Sequence, residues 1–292
     1  MQKQPLNTMP KCTLFGIETS YEEAKVVVLP IPYDSTSSYK SGSREGPKAI
    51  INASRFIEPF SYELGFDISK RVPIYTMDEL MPNFSSPEHM LERIKKEVSI
   101  IIDDKKVPLL IGGEHTIALG SLQALKEKGI DLTIVQFDAH SDTYEELNDT
   151  KYSHGSVMAR AREMYSSVFQ VGIRSIDEKS FNAVDKKTVF FVDDVRREGA
   201  KNLGSKINKT CKENVYITFD FDVLDPSEMP SIGTPEPAGL KFEEIIEMLK
   251  EIAKGKNLVG ADFTELAPIP GLDAPNYLAA KLIYLFLGIF LG

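Results

Sequence analysis

Three potential ligands stand at every second position of Asp138-Ala139-His140-Ser141-Asp142, directly after an apolar run at residues 132–137. While the backbone stays extended, that spacing aims all three side chains to one side. The run at 215–219 ends in a similar way, in Asp220-Phe221-Asp222, and the run at 107–111 ends in Gly112-Gly113-Glu114-His115. Paired glycines let the chain turn tightly and approach a bound group, leaving His115 at the mouth of the next helix. A fourth run, 258–261, leads through Asp262 to Glu265. Four aspartates and two histidines drawn to one point carry too much negative charge to sit together uncompensated. Divalent cations remove the conflict, and six side chains hold two ions if two of the carboxylates bridge. Mixed imidazole and carboxylate ligands suit manganese, zinc or iron, and the oxygen-rich set favours manganese. Two close ions would polarise a water held between them and generate hydroxide near neutral pH.

Each piece has an ordinary alternative. A lone Asp after a strand is usually a turn or helix cap, and Asp-x-Asp by itself carries little weight. Convergence separates the two possibilities: three of the four histidines, His115, His140 and His154, lie near these strand ends, while His89 falls in a charged helix as a surface residue. No Gly-x-x-x-x-Gly-Lys-Ser/Thr phosphate loop is present, and Ser41-Gly42-Ser43-Arg44-Glu45-Gly46 lacks the spacing of a dinucleotide fingerprint.

Eight short β-branched runs must position these residues: 25–30, 71–75, 107–111, 132–137, 168–173, 188–192, 215–219 and 258–261. Several are apolar on consecutive positions, as strands covered on both faces require. Helical patterns fill the gaps. Ser86-Pro87-Glu88 offers an N-cap followed by proline at the first helical position, with Met90, Ile94, Val98 and Ile101 forming the apolar face, and two further helices, 116–128 and 242–254, end at Gly129 and Gly255. Alternating strand and helix predict an α/β fold with a parallel sheet and helices on both faces, as one domain over residues 1–292. Ligands of such sheets bind beyond the carboxyl ends of the strands, where the unusual residues lie.

A net charge of −9 argues against a nucleic-acid partner, which needs a basic face, and suits a small cationic substrate. Cys12 and Cys211 are the only cysteines, so neither a disulfide framework nor a thiolate zinc site is expected and a reducing, cytoplasmic setting fits. Residues 1–12 are polar and contain Pro5 and Pro10, unlike a signal peptide. The apolar tail at 277–291 is interrupted by Lys281 and shorter than the ~20 residues of a membrane span, so it is expected to be a buried terminal helix or one docked on a neighbouring subunit.

Ile111-Gly112-Gly113-Glu114-His115, Phe137-Asp138-Ala139-His140-Ser141-Asp142 and Thr218-Phe219-Asp220-Phe221-Asp222 resemble the three metal motifs of the ureohydrolase family, the arginases and agmatinases. The resemblance runs from about Pro30 to Gly292 and takes in Gly172-Ile173-Arg174-Ser175 and Leu224-Asp225-Pro226. It implies a three-layer α/β/α sandwich with an eight-stranded, mainly parallel sheet and two Mn2+ ions per subunit. By motif position, His115, Asp138, Asp142 and Asp220 would hold one ion and Asp138, His140, Asp220 and Asp222 the other, with Asp138 and Asp220 bridging. His154, in Ser153-His154-Gly155, resembles the family's proton-shuttling histidine, and Glu265 the carboxylate that holds the substrate guanidinium. The chemistry agrees: a planar guanidinium pairs with a carboxylate, and its departing amine needs a proton from a group titrating near pH 7. The implied catalytic residues are therefore His154, Asp142 and Glu265, with Asp142 orienting the attacking hydroxide. The implied partner is a small cationic guanidino compound, with neither nucleic acid nor membrane, and family members commonly form homo-oligomers, trimers or hexamers.

Arginases resembling this chain carry an Asn two residues before the shuttle histidine, where this chain has Tyr152 in Thr150-Lys151-Tyr152. Its absence, with Asp142-Thr143-Tyr144 and Gly233-Thr234-Pro235-Glu236-Pro237-Ala238-Gly239, resembles the agmatinase branch, which implies agmatine as substrate and putrescine and urea as products in polyamine synthesis. Related branches take guanidinobutyrate, guanidinopropionate or formiminoglutamate, whose carboxylates would call on a cation such as Lys151, Arg160 or Arg174. Arginine hydrolysis and a noncatalytic metal-binding role on the same fold are further alternatives, though the latter would show a missing ligand or a missing His154. Two departures stand out: Phe221 replaces a smaller aliphatic residue, and Ala238 replaces the first of a frequent Gly-Gly pair. The loops at 33–46 and 143–153 are expected to select the substrate.

Overall fold

A strand that is apolar on consecutive positions has no polar face to show to water, so the runs of this kind need cover on both sides. The computed structural model, which describes residues 12–292, provides it. Residues 1–11, most of the stretch compared with a signal peptide, lie outside the described residues. The strands are β1 Val26–Ile31, β2 Phe60–Ser61, β3 Phe66–Asp67, β4 Ile74–Thr76, β5 Val107–Gly112, β6 Thr133–Phe137, β7 Val168–Ile173, β8 Val189–Phe191, β9 Asn214–Asp220 and β10 Asn257–Thr264. The helices are α1 Gly46–Ser54, α2 Pro87–Asp103, α3 Ala118–Glu127, α4 Val157–Met164, α5 Glu178–Asn182, α6 Val192–Glu198, α7 Ala200–Thr210, α8 Phe242–Ile252 and α9 Ala274–Leu291. Eight strands, all paired in parallel, form one sheet in the order β4-β1-β5-β10-β9-β6-β7-β8. β2 and β3 form a separate antiparallel hairpin, too short to leave a mark in the sequence pattern.

Alternate strand residues enter different cores, which makes the fold three layers. Leu109, Ile111, Val135, Phe137, Val215, Ile217 and Phe219 face a core closed by α1, α7, α8 and α9. Leu110, Ile134 and Tyr216 face the opposite one, closed by α2, α3 and α4. The helix signals hold locally: the Ser86 hydroxyl accepts from the His89 amide at the start of α2, and Met90, Ile94, Val98 and Ile101 are all buried. Helix α3 is preceded by a 3-10 turn at His115–Ile117, a tight first turn after the glycine pair.

The apolar tail is longer than expected, an 18-residue helix with the length and composition of a membrane-crossing one. Its sequence cover is explained by packing: 56% of it is buried, and Leu282 to Leu287 insert into the larger core. Each such side chain contributes about 1.5–3 kcal/mol by leaving water.

Phe221 is absorbed by a ring cluster, 5.5 Å from Phe219 and 6.0 Å from Phe263 between centroids, so the larger side chain fills space beneath the strand ends. Ala238 is less comfortable. It takes φ +62°, a left-handed conformation that costs an L residue roughly 1–2 kcal/mol and a glycine almost nothing. Ala238→Gly is therefore expected to stabilise the protein by up to about 1 kcal/mol after glycine's extra chain entropy is subtracted, raising the thermal midpoint by about 2 °C. Calorimetry checks this, and a lowered midpoint would show that the loop has adapted to alanine.

Candidate active site and metal centre

Strand order brings the chemistry together. β5, β10, β9 and β6 are adjacent, so the chain leaving each delivers its polar residues to one stretch of the sheet's carboxyl edge. After β5, Gly113 donates to the Ile31 carbonyl at 3.0 Å and Glu114 to the Tyr33 carbonyl at 2.8 Å. A Cβ at Gly113 would collide with the Tyr33 carbonyl, which is why the close approach needs glycine. After β6, the Ala139 amide donates to Asp222 Oδ1 at 2.9 Å, tying the first acidic segment to the second. Asp142 and Glu265 adopt φ +50° and +68°. Left-handed backbone at two acidic residues of one site is the pattern of a site that fixes its groups at a conformational cost.

All six expected ligands converge. His115 Nδ1 lies 3.0 Å from Asp138 Oδ2, 2.9 Å from Asp142 Oδ2 and 3.7 Å from Asp220 Oδ2. His140 Nδ1 lies 2.7 Å from Asp222 Oδ2 and 3.7 Å from Asp138 Oδ1. Among the described residues, two groups have ligand atoms close enough to hold an ion, His115 with Asp138 and Asp220, and Asp138 with His140 and Asp222. Asp138 belongs to both. Asp220 stands with the first, its other oxygen accepting the Asp222 amide at 2.8 Å.

The donor set fits a pair of cations. His115 Nδ1 is buried and faces three carboxylates, yet none of them is placed to make a hydrogen bond with it. The electrostatics show the same conflict. Burial, reinforced by Asp222 and Asp138, pushes Asp220 well above the usual carboxylate range, and burial with Asp138 brings Asp142 up to about 6. Burial opposes charge on His140 too, but Asp222 and Asp138 hold it up to about 12. Protons are doing here what divalent ions do better.

Glu265 and His154 complete the pocket, a cavity of about 310 Å³ that both residues line together with His115, His140, Asp142, Asp220 and Asp222. Glu265 Oε1 accepts the His115 amide at 2.7 Å, and burial followed by Glu114 pushes its carboxyl up to about 8. The His154 ring lies 3.3 Å from Thr36 Oγ1 and 3.2 Å from Ser38 Oγ. Burial, with the neighbouring His140 and His115, lowers His154 to about 4 in the metal-free pocket, below the neutral range expected of a proton shuttle.

The expected loops do wall the pocket, through Ser38, Tyr39 and Lys40 on one side and Tyr144 and Leu147 on the other. The three cations suggested for a substrate carboxylate do not. Arg174 is spent on backbone carbonyls, including those of Asp222 and Glu236 at 2.6 and 2.9 Å; Arg160 pairs with Glu163 at 3.0 Å; and Lys151 is outside the pocket lining. Lys40 is the lysine that lines it. Sequence reasoning passed over Thr36, Ser38 and Glu114. The buried Glu114 carboxylate accepts both the amide and the hydroxyl of Thr36, at 2.6 and 3.0 Å, and so anchors the loop that touches His154.

Residues 24–288 match the model of the Arginase family. The chain is 37% identical over 274 residues to an N(1)-aminopropylagmatine ureohydrolase of Thermus thermophilus, covering 93% of this chain and 92% of that one. It is 32% identical to an agmatinase of Halalkalibacterium halodurans over 86% of each. Among solved structures it is similar to an agmatine ureohydrolase of Thermoplasma volcanium, with a TM-score of 0.87 at 30% identity, covering 98% of this chain and 95% of that one.

Proposed function

The chain belongs to the arginase family of hydrolases acting on guanidino groups, and from that premise we propose that it is a manganese-dependent ureohydrolase splitting agmatine into putrescine and urea. The observation that carries this reading is a pocket of about 310 Å³ with Glu265, His154 and five of the six metal-type ligands on its walls, Asp138 completing the ligand clusters. Tyr152, standing where arginases carry their Asn, packs against the hydrophobic core and offers no amide.

His115, Asp138, Asp142 and Asp220 would hold one ion, and Asp138, His140, Asp220 and Asp222 the other. When bound, the ions supply Lewis acidity and lower the pKa of a water in the site. The protein's own groups do the rest. Glu265 pairs with the planar guanidinium and fixes its carbon within reach of the water. Asp142, held by its left-handed backbone with its carboxylate toward His115, orients that water. Water oxygen adds to the guanidinium carbon, the bond from carbon to the alkylamine nitrogen breaks, and urea remains. His154, whose burial favours the neutral ring, relays the proton released by the water to the departing amine.

A longer substrate is favoured by the pocket mouth and by one relative's name. Tyr39 and Tyr144 line the pocket and are 80% and 46% exposed, offering aromatic faces to a cationic chain extending outward. An aminopropyl derivative of agmatine, named for the Thermus thermophilus relative, would use them. The test is urea release by manganese-loaded protein with agmatine, its aminopropyl derivative, arginine and guanidinobutyrate, with chelated protein as control. Metal-dependent urea from agmatine or its derivative, with arginine inert, is expected. Urea from guanidinobutyrate instead would keep the chemistry and overturn the pocket reading; none from any substrate would overturn the function.

A further inference from the structure

Asp262 lies on β10, fully buried, with no place in the chemistry above. Its register partner on β9 is Thr218, so the two side chains stand beside each other on one face of the sheet. Tyr216, two residues before Thr218, shares that face. Its ring crosses β10 over Gly260, where a Cβ would come within 2.9 Å of the ring. The result is a buried carboxylate with both oxygens engaged: Tyr216 Oη donates to Asp262 Oδ2 at 2.8 Å, and Thr218 Oγ1 donates to Asp262 Oδ1 at 2.8 Å.

A hydroxyl has one hydrogen. The Thr218 hydrogen is spent on Asp262, so across the 2.7 Å contact to His115 Nε2 the Thr218 oxygen accepts and the ring nitrogen donates. The ring proton is thereby held on Nε2. That leaves the lone pair on Nδ1, the atom 2.9–3.7 Å from Asp142, Asp138 and Asp220 that has no hydrogen-bond partner. A histidine can ligate a cation only through an unprotonated nitrogen, and the partner of the other nitrogen decides which one that is.

We propose that Asp262 is a positioning residue of the metal centre, which through Thr218 fixes His115 in the tautomer whose Nδ1 faces the ion. The proposal rests on the metal-dependent reading above. It also singles out one ion: no comparable contact links Asp262 to His140, so the site holding His115 should depend on it and the site holding His140 should not.

The test is titration of metal-free protein with Mn2+, followed by calorimetry and by the electron paramagnetic resonance of free Mn2+, in the parent and in Asp262→Asn. Asparagine keeps the shape, but its NH2 group can donate to Thr218 and turn the hydroxyl hydrogen toward His115, driving the ring proton to Nδ1. One of the two binding steps is expected to weaken about 10–100-fold, the usual effect of losing a ligand's orienting partner, while the other stays within about threefold. Thr218→Val should reproduce this loss and Thr218→Ser should restore parental binding, which guards against a folding defect in any one variant. Both steps unchanged in Asp262→Asn, or both weakened equally, would overturn the assignment. A parent protein that binds no Mn2+ would overturn the metal reading itself, and that outcome is visible before any variant is made.

Discussion

Replacing Asp220 with alanine is expected to abolish metal binding and urea release together. One Asp220 oxygen faces His115, and the other accepts the Asp222 amide, so its removal deletes a ligand of one cluster and releases the ligand next to it in the other. Charge stabilisation by the ions is worth several kcal/mol, and each ~1.4 kcal/mol is a factor of ten in rate, so the activity should fall roughly a thousandfold or more. Stability should move differently. Burial and the neighbouring Asp222 and Asp138 hold the folded-state pKa of Asp220 well above its unfolded value, so at neutral pH an ionised Asp220 opposes folding. The metal-free alanine variant should therefore melt no lower than the metal-free parent, while the rise in melting temperature on adding Mn2+ disappears. Full activity in the variant would sink the assignment of Asp220 as a ligand, and a lower metal-free midpoint would show that its structural role outweighs its charge.

The neighbours that set the environment of Asp220 are not revealed by the sequence. The runs that became strands were legible because apolar residues on consecutive positions leave a strand nothing to expose. The candidate ligand clusters were legible because period-two spacing at a strand end aims extended side chains to one side. The order of the strands was not, since pairing partners lie far apart along the chain. β10, among the last elements made, inserts between β5 and β9 and carries Glu265 to the His115 amide and Asp262 to Thr218. Thr36 and Ser38 read as ordinary loop hydroxyls until the loop is seen against His154. The left-handed turns at Asp142 and Glu265 leave no glycine behind to announce them. For His154, residue type alone suggested a titration near neutrality, whereas its burial, which only the fold reveals, pulls it lower in the metal-free pocket.

Glu265→Gln should separate substrate binding from metal binding. The amide keeps the shape and an oxygen able to accept the His115 amide, so the six ligands should stay in place and Mn2+ affinity should remain within a few-fold of the parent. What it loses is the negative charge opposite the guanidinium. A charge-assisted pair of this kind is worth about 1.5–3 kcal/mol, and more where water is excluded, so kcat/KM for agmatine should fall by roughly 10² or more. The pH dependence identifies the cause. Burial and Glu114 raise the Glu265 carboxyl to about 8 in the metal-free pocket. Nearby cations favour the carboxylate, so in the loaded enzyme the titration lies below that value. As pH falls through this window, a proton competes with the guanidinium for the same oxygens. The parent's KM should therefore rise toward acid pH while the variant's KM, already high, stays flat. Steady-state kinetics from pH 6 to 9 on manganese-loaded protein, with Mn2+ affinity measured in parallel, decide the matter. A variant that loses its metal would make Glu265 part of the ion site, and one that retains the parent's KM and pH profile would leave the guanidinium held by some other group.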